Sequence, residues 1–149
     1  MQTFLPYKDF VESAKCLDDK RLGKQRVEAL QILKALHIDD YGWQNHPAVK
    51  MWKGYEIALM EYMTCCIDEW KSRGFKNTMS RADMRLLKPS LEYPIWLGND
   101  KLHISHKSNL LRKMPEHYSK YNWKVESDIP YYWCGFSKQD KEITDGRLG

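Results

Sequence analysis

Residues 17–36, LDDKRLGKQRVEALQILKAL, decide how the rest of the chain is read. Leu22, Ala29, Leu30, Leu33 and Leu36 recur at three- and four-residue steps, the spacing of one buried helical face. Asp18 and Asp19 suit the N-cap and first turn, where a carboxylate accepts free amide hydrogens and meets the positive end of the helix dipole. Arg21, Lys24, Gln25, Glu28 and Gln31 fall on an adjoining polar stripe that holds a single carboxylate among cations and amides. Two readings of that stripe stand side by side: a solvated face carrying a Lys24–Glu28 pair, or a site built around Glu28.

The chain has 149 residues, enough for one domain with a real core and too few for two comfortable ones. Its 42% hydrophobic and 13% aromatic content excludes a disordered chain. A formal charge of +4 permits a nucleic-acid partner without requiring one, so the placement of the charges matters more than their sum. Cys16, Cys65, Cys66 and Cys134 show no Cys-x-x-Cys spacing, and adjacent Cys65 and Cys66 fit small core residues of a reducing compartment. The first residues carry no cationic-then-apolar leader and no apolar run reaches membrane-spanning length. The expected location is the cytoplasm, beside the nucleoid through DNA, and the expected state is a monomer.

The periodicity predicts an all-α domain over residues 1–137 with a flexible tail over 138–149. Residues 1–6 read as an extended lead-in stopped by Pro6, and 7–16 as a short helix with Phe10, Val11 and Ala14 on one side. After the helix over 17–36, a loop carries Trp43. Pro47 then suits the first turn of a long helix that runs to about Arg73 and ends at Gly74. Its wide apolar face, with Trp52, Leu59, Met60, Met63, Cys66, Ile67 and Trp70, marks it as the central core helix. Ser80–Leu87 resembles a capped short helix, Asp100 suits the cap of a helix over 101–113, and Pro115 begins another short one through Tyr121.

Residues 101–124 carry Lys101, Lys107, Arg112, Lys113, Lys120 and Lys124 against the single acid Glu116, interleaved with His103, His106, His117, Tyr118, Tyr121 and Trp123. Cations neutralise phosphates and aromatic faces receive unstacked bases, so this region fits DNA; it fits a solvated basic helix with core aromatics equally. His103 and His106 lie three apart, yet no third ligand of metal-site spacing is near and no His-Glu-x-x-His occurs. No metal or other cofactor is expected.

Several of these stretches, in this order, resemble one family. Lys15-x-Leu17-Asp18, Glu28-Ala29-Leu30, Lys34-x-Leu36, Asn45-His46-Pro47 opening a long helix, and Arg73-Gly74-Phe75 closing it are similar to the pyrimidine-dimer DNA glycosylase and abasic-site lyase family of endonuclease V type. Ser105 to Tyr118 resembles that family's third helical region, so the likeness covers about residues 1–121. It implies an enzyme that attacks C1′ of a damaged nucleotide with its N-terminal α-amine, displaces the base and holds the opened sugar as an imine. The helical glutamate that serves the proton transfers matches Glu28. Peptide α-amines titrate near 8, far below lysine side chains, which suits a nucleophile at neutral pH.

The resemblance thus implies a DNA glycosylase with abasic lyase activity, acting on double-stranded DNA with a pyrimidine dimer or another modified pyrimidine. Glu28 is the acid–base residue, and the amine belongs to Met1, or to Gln2 if Met1 is removed. Val27 stands where the best-known members have an arginine before the glutamate. Arg21, Lys24, Arg26, Lys107, Arg112 and Lys113 are the candidate phosphate contacts; Trp43, Asn45 and His46 would shape the site, with His103 and His106 facing the same groove. Arg21, Lys24 and Arg26 would also keep Glu28 ionised. The rival classes are a DNA-binding module that kept this fold without the chemistry, and a metal-dependent nuclease using His46, His103 and His106.

Overall fold

A computed structural model describes residues 1–38, 40–79 and 92–133. The regular elements there are helical: α1 (Phe10–Cys16), α2 (Asp19–His37), α3 (Pro47–Trp52), α4 (Glu56–Ser72), α5 (Asp100–Lys113) and α6 (Pro115–Tyr118), with a 3₁₀ turn over Ser119–Tyr121. The all-α expectation holds. Among the described residues no helix is long and apolar enough to cross a membrane. The expected helix over Ser80–Leu87 and the expected tail over 138–149 lie outside the described residues.

The long helix expected from Pro47 to Arg73 is two helices. Gly54, at a φ of +89°, breaks it between Trp52 and Glu56, a conformation that glycine reaches without the clash a Cβ would meet. The second piece ends as the sequence suggests. The Gly74 amide donates to the Lys71 carbonyl at 3.0 Å and the Phe75 amide to the Trp70 carbonyl at 3.3 Å, the paired bonds of a Schellman cap. Phe75 and Trp70 then stack at 4.2 Å, the hydrophobic contact that accompanies such a cap.

Helices α2 and α4 make the most extensive contact between elements, with α1 also against α4 and α3 against α2. The buried face of α2 is wider than its leucine spacing suggests: Leu22, Gln25, Ala29, Ile32, Leu33 and Ala35 are buried, while Leu30 and Leu36 are only partly so. Cys66 joins this core and Cys65 sits at its margin. Gly23 lets α4 come close, since a Cβ there would lie 3.0 Å from the Trp70 ring. At the far end Arg73 bonds to Asp19 and Glu69, each at 2.9 Å, and to the Lys15 carbonyl at 3.0 Å, joining the ends of three helices.

The α5 cap is Asn99 rather than Asp100: its side chain accepts from the Lys101 and Leu102 amides, and Asp100 is already in the first turn. One face of α5 buries Ser105, Ser108 and Asn109. They serve the extended chain beyond residue 124: Ser108 Oγ accepts from the Ile129 amide, Ser105 Oγ from the Tyr132 amide, and Asn109 donates to the Ile129 carbonyl. Their polarity replaces a strand partner. The same helix buries His103 and His106, 7% and 1% exposed. Both grip Leu5. Its amide donates to His106 Nδ1 at 2.9 Å, and its carbonyl lies 2.7 Å from His103 Nδ1, which therefore carries the proton; His103 Nε2 accepts from the Gly98 amide.

Burial pushes the His106 imidazole down to about 3 from an ordinary 6.5. Between those values the unfolded chain binds a proton that the folded chain refuses. Stability is complete above pH 6.5 and is lost as pH falls toward 3, at up to about 1.4 kcal/mol per pH unit. Urea midpoints measured from pH 7 to pH 4 should fall along this slope. His106→Asn keeps an acceptor for the Leu5 amide without a titrating ring, so its curve should be shallower; parallel curves would remove His106 as the cause. Gly23→Ala should lower the melting temperature, although alanine in an open helix interior is worth about 1 kcal/mol over glycine. A gain of that size would show that Trp70 does not press on α2.

Candidate active site

The extended lead-in expected over residues 1–6 enters the protein instead of crossing its surface. Gln2, Thr3, Phe4 and Leu5 are all buried. Backbone outside a helix or sheet needs other partners when water is excluded, and side chains of four helices supply them. Beside the two histidines of α5, Trp52 Nε1 of α3 donates to Thr3 Oγ1 at 2.9 Å. The Tyr62 hydroxyl of α4 lies 2.7 Å from the Phe4 carbonyl and 2.7 Å from Gln25 Oε1. From α2, Gln25 Oε1 accepts from the Phe4 amide at 2.8 Å, while Nε2 donates to the Gln2 carbonyl at 2.9 Å and to Glu28 Oε2 at 3.0 Å.

This segment ends in a cleft of about 350 Å³ lined by Met1, Gln2, Phe4, Lys20, Arg21, Lys24, Gln25, Glu28, Lys113 and Tyr131. Burial raises the Glu28 carboxyl above its ordinary range. The N-terminal charge, a hydrogen bond from the Gln2 backbone, Lys24 and the Gln25 side chain pull in the other direction, in that order. The expected Lys24–Glu28 contact survives only as an attraction at this distance; the hydrogen bonds to the carboxylate come from Gln25 and Gln2. Lys113 reaches the cleft from α5, and burial, with repulsion from Arg21, Arg112 and Lys24, pushes its ammonium below the usual range. The cleft therefore holds one partly desolvated carboxylate and the chain's first amine under a cationic rim.

The loop before α3 borders this amine. His46 caps α3, its Nδ1 accepting from the Ala48 amide at 3.0 Å, which leaves the proton on Nε2. Its pKa is lowered, first by burial and then by the N-terminal charge, so ring and amine are close enough to interact. Trp43 packs edge-on against His46 at 5.9 Å, is 57% exposed, and stands at a φ of +66°, a conformation costly for a bulky side chain. Asn45 is exposed in the same loop.

Other sequence candidates lie elsewhere. Arg26 is two residues from both Lys24 and Glu28, which puts it on the opposite side of α2. There its guanidinium covers Trp70 at 4.3 Å and bonds to Asn77 at 2.6 Å, so it neither neighbours Glu28 nor stands free for phosphate. Arg21 lines the cleft but is paired with Asp18 at 3.2 Å. Lys107 sits over the Tyr7 ring at 5.0 Å, and Arg112 donates to the Ser127 carbonyl at 2.7 Å. His103 and His106, expected in the groove, are interior residues spent on Leu5. Among the described residues no group of three His, Cys, Asp or Glu side chains is placed to hold a metal ion.

Sequence reasoning missed Lys20, Phe4 and Tyr131 as cleft residues, and it placed Gln25 on the polar stripe without a role. The i, i+3 spacing of Gln25 and Glu28 was the available signal. Phe4 and Tyr131 gave none, because only the fold brings their rings to 6.2 Å of each other.

The family model described as pyrimidine dimer DNA glycosylase matches residues 1–83, more than half of the chain. No curated protein and no solved structure matches. The matched stretch contains the buried N-terminal segment, α1 to α4 and Glu28 with its partners, leaving Lys113 and Tyr131 as the cleft's contribution from beyond it. With its first residue and its helical glutamate meeting in one cationic cleft, this chain belongs to the pyrimidine dimer DNA glycosylase family.

Proposed function

We propose that this cleft excises a damaged pyrimidine, a pyrimidine dimer in the first instance, and then cleaves the abasic strand as a lyase. The observation that carries the proposal is the burial of residues 2–5, which brings the N-terminal amine into one cleft with Glu28.

In this reading the unprotonated amine attacks C1′ and the bond to the base breaks, its electron pair leaving with the base. Loss of the ring oxygen's bond to C1′ gives an imine between protein and opened sugar. Removal of a C2′ proton expels the 3′ phosphate, and water then releases the amine. Glu28 relays the protons. Its raised affinity for a proton suits a group that must both give and take one near neutrality, and the adjacent amine stabilises its ionised form. Lys20, Lys24 and Lys113 supply positive charge for the phosphates flanking the lesion. Phe4 and Tyr131 give the cleft its apolar wall, against which an extruded nucleotide can rest. Trp43, 57% exposed at a φ of +66° and edge-on to His46, offers an aromatic face for the distorted duplex.

With Met1 retained the amine is that of Met1; with Met1 removed it is that of Gln2, whose nitrogen is directed at Glu28. Incubation with abasic-site DNA, borohydride and EDTA should give a covalent protein–DNA adduct, and mass mapping should place it on the first residue. Acetylating the N-terminus should abolish the adduct. No adduct from the unmodified protein would sink the lyase reading in favour of a binding module, and cleavage only with added divalent metal would favour a nuclease. Glu28→Gln should lower base excision by about 10²- to 10⁴-fold, the usual worth of an acid–base group, while leaving DNA affinity essentially unchanged. Excision at the unmodified rate would take Glu28 out of the chemistry.

A further inference from the structure

Gln25 is 1% exposed, and both ends of its side-chain amide are engaged. One face of the amide, Nε2, donates to the Gln2 carbonyl and to Glu28 Oε2, at 2.9 and 3.0 Å. The other, Oε1, accepts from the Phe4 amide at 2.8 Å and faces the Tyr62 hydroxyl at 2.7 Å. The amide cannot be reversed: its oxygen would then face a carbonyl and a carboxylate, and its NH₂ would face an N–H. A surface-stripe residue by sequence is thus a rigid bracket. It holds the peptide carbonyl one residue from the reactive amine and one oxygen of the carboxylate that must serve that amine.

We propose that Gln25 is the positioning residue of this site, its single amide fixing the N-terminal segment to Glu28 so that amine and carboxylate meet the sugar in one geometry. Nε2 and the Gln2 backbone amide together fix the carboxylate that faces the amine. Tyr62 supports the bracket from behind, on the side away from the cleft. The inference rests on the imine reading above and adds a residue that acts through Glu28 and the Gln2 carbonyl. Displacement of reacting groups by about 1 Å costs on the order of a hundredfold in rate, so loss of the bracket acts on the chemical step and not on DNA binding.

Gln25→Glu tests this. At pH 8 its carboxylate would face the Gln2 carbonyl and Glu28, and donation to both is lost. Single-turnover borohydride trapping on abasic DNA should slow about a hundredfold, with DNA affinity by fluorescence anisotropy unchanged. On acidification the two carboxyls share a proton, which restores one donor. The variant's rate relative to the unsubstituted protein should therefore rise from pH 8 to pH 5.5, a trend that a merely loosened fold would not give. Tyr62→Phe, which leaves every cleft residue in place, should lose about fivefold in trapping rate and carries the test if Gln25→Glu does not fold. Trapping at the unsubstituted rate by either folded variant, or a rate ratio flat with pH, overturns the inference while the imine reading stands. No adduct from the unsubstituted protein overturns that reading, and this inference with it.

Discussion

An extended peptide buried without a strand beside it leaves donors and acceptors that the interior must satisfy, and here that demand organises the molecule. Residues 2–5 lie within the core, and Gln25, Trp52, Tyr62, His103 and His106 each spend a polar atom on them. These side chains come from α2, α3, α4 and α5. An unmet buried amide or carbonyl costs about 1–3 kcal/mol, so each of these bonds guards against a penalty larger than its own net contribution. The helices therefore cannot be arranged independently of the N-terminal segment. Its fixed path decides where the first residue stops.

The same constraint produces the site. A free terminus is usually the most mobile part of a chain, with no defined relation to any side chain. Here four buried residues separate it from Pro6, and the carboxylate it meets sits one helical turn from the glutamine that holds them. Desolvation that raises the Glu28 carboxyl follows from that burial, as does the opposing pull of the N-terminal charge. The cationic rim draws on both the matched region and α5: Lys20 and Lys24 from α2, Lys113 from beyond residue 83. Structural and electrostatic requirements thus fall on the same side chains, and core packing on one face of α2 turns the next face, with Lys24 and Glu28, toward the cleft.

Reading the histidines shows why composition misleads at such a site. A basic, aromatic segment containing His103 and His106 looks like a nucleic-acid face, and those residue types do occur on such faces. In the fold both imidazoles bind one buried backbone position, Leu5, that lies about a hundred residues away in sequence, a relation that no local pattern encodes. Arg26 is the opposite case. Its spacing of two from Glu28 already excluded it from the same helical face, while its packing on Trp70 is a contact between helices that only the fold makes.

By itself the sequence determined most of the helices, several of their caps and the polar stripe on which Glu28 sits. Asp18, Pro47, Gly74 and the leucine spacing of α2 act through contacts within a few residues, and local sterics and hydrogen bonding are readable from neighbours. Glu28 stood out because it was the single acid on a polar helical stripe. What only the tertiary structure decided was which polar residues turn inward. Gln25 looked like a surface residue and His106 like a groove residue, yet each is buried against a segment that the sequence marks only as extended. Their partners are backbone atoms, which carry no side-chain signature, and the site exists only once those long-range bonds bring the start of the chain to α2.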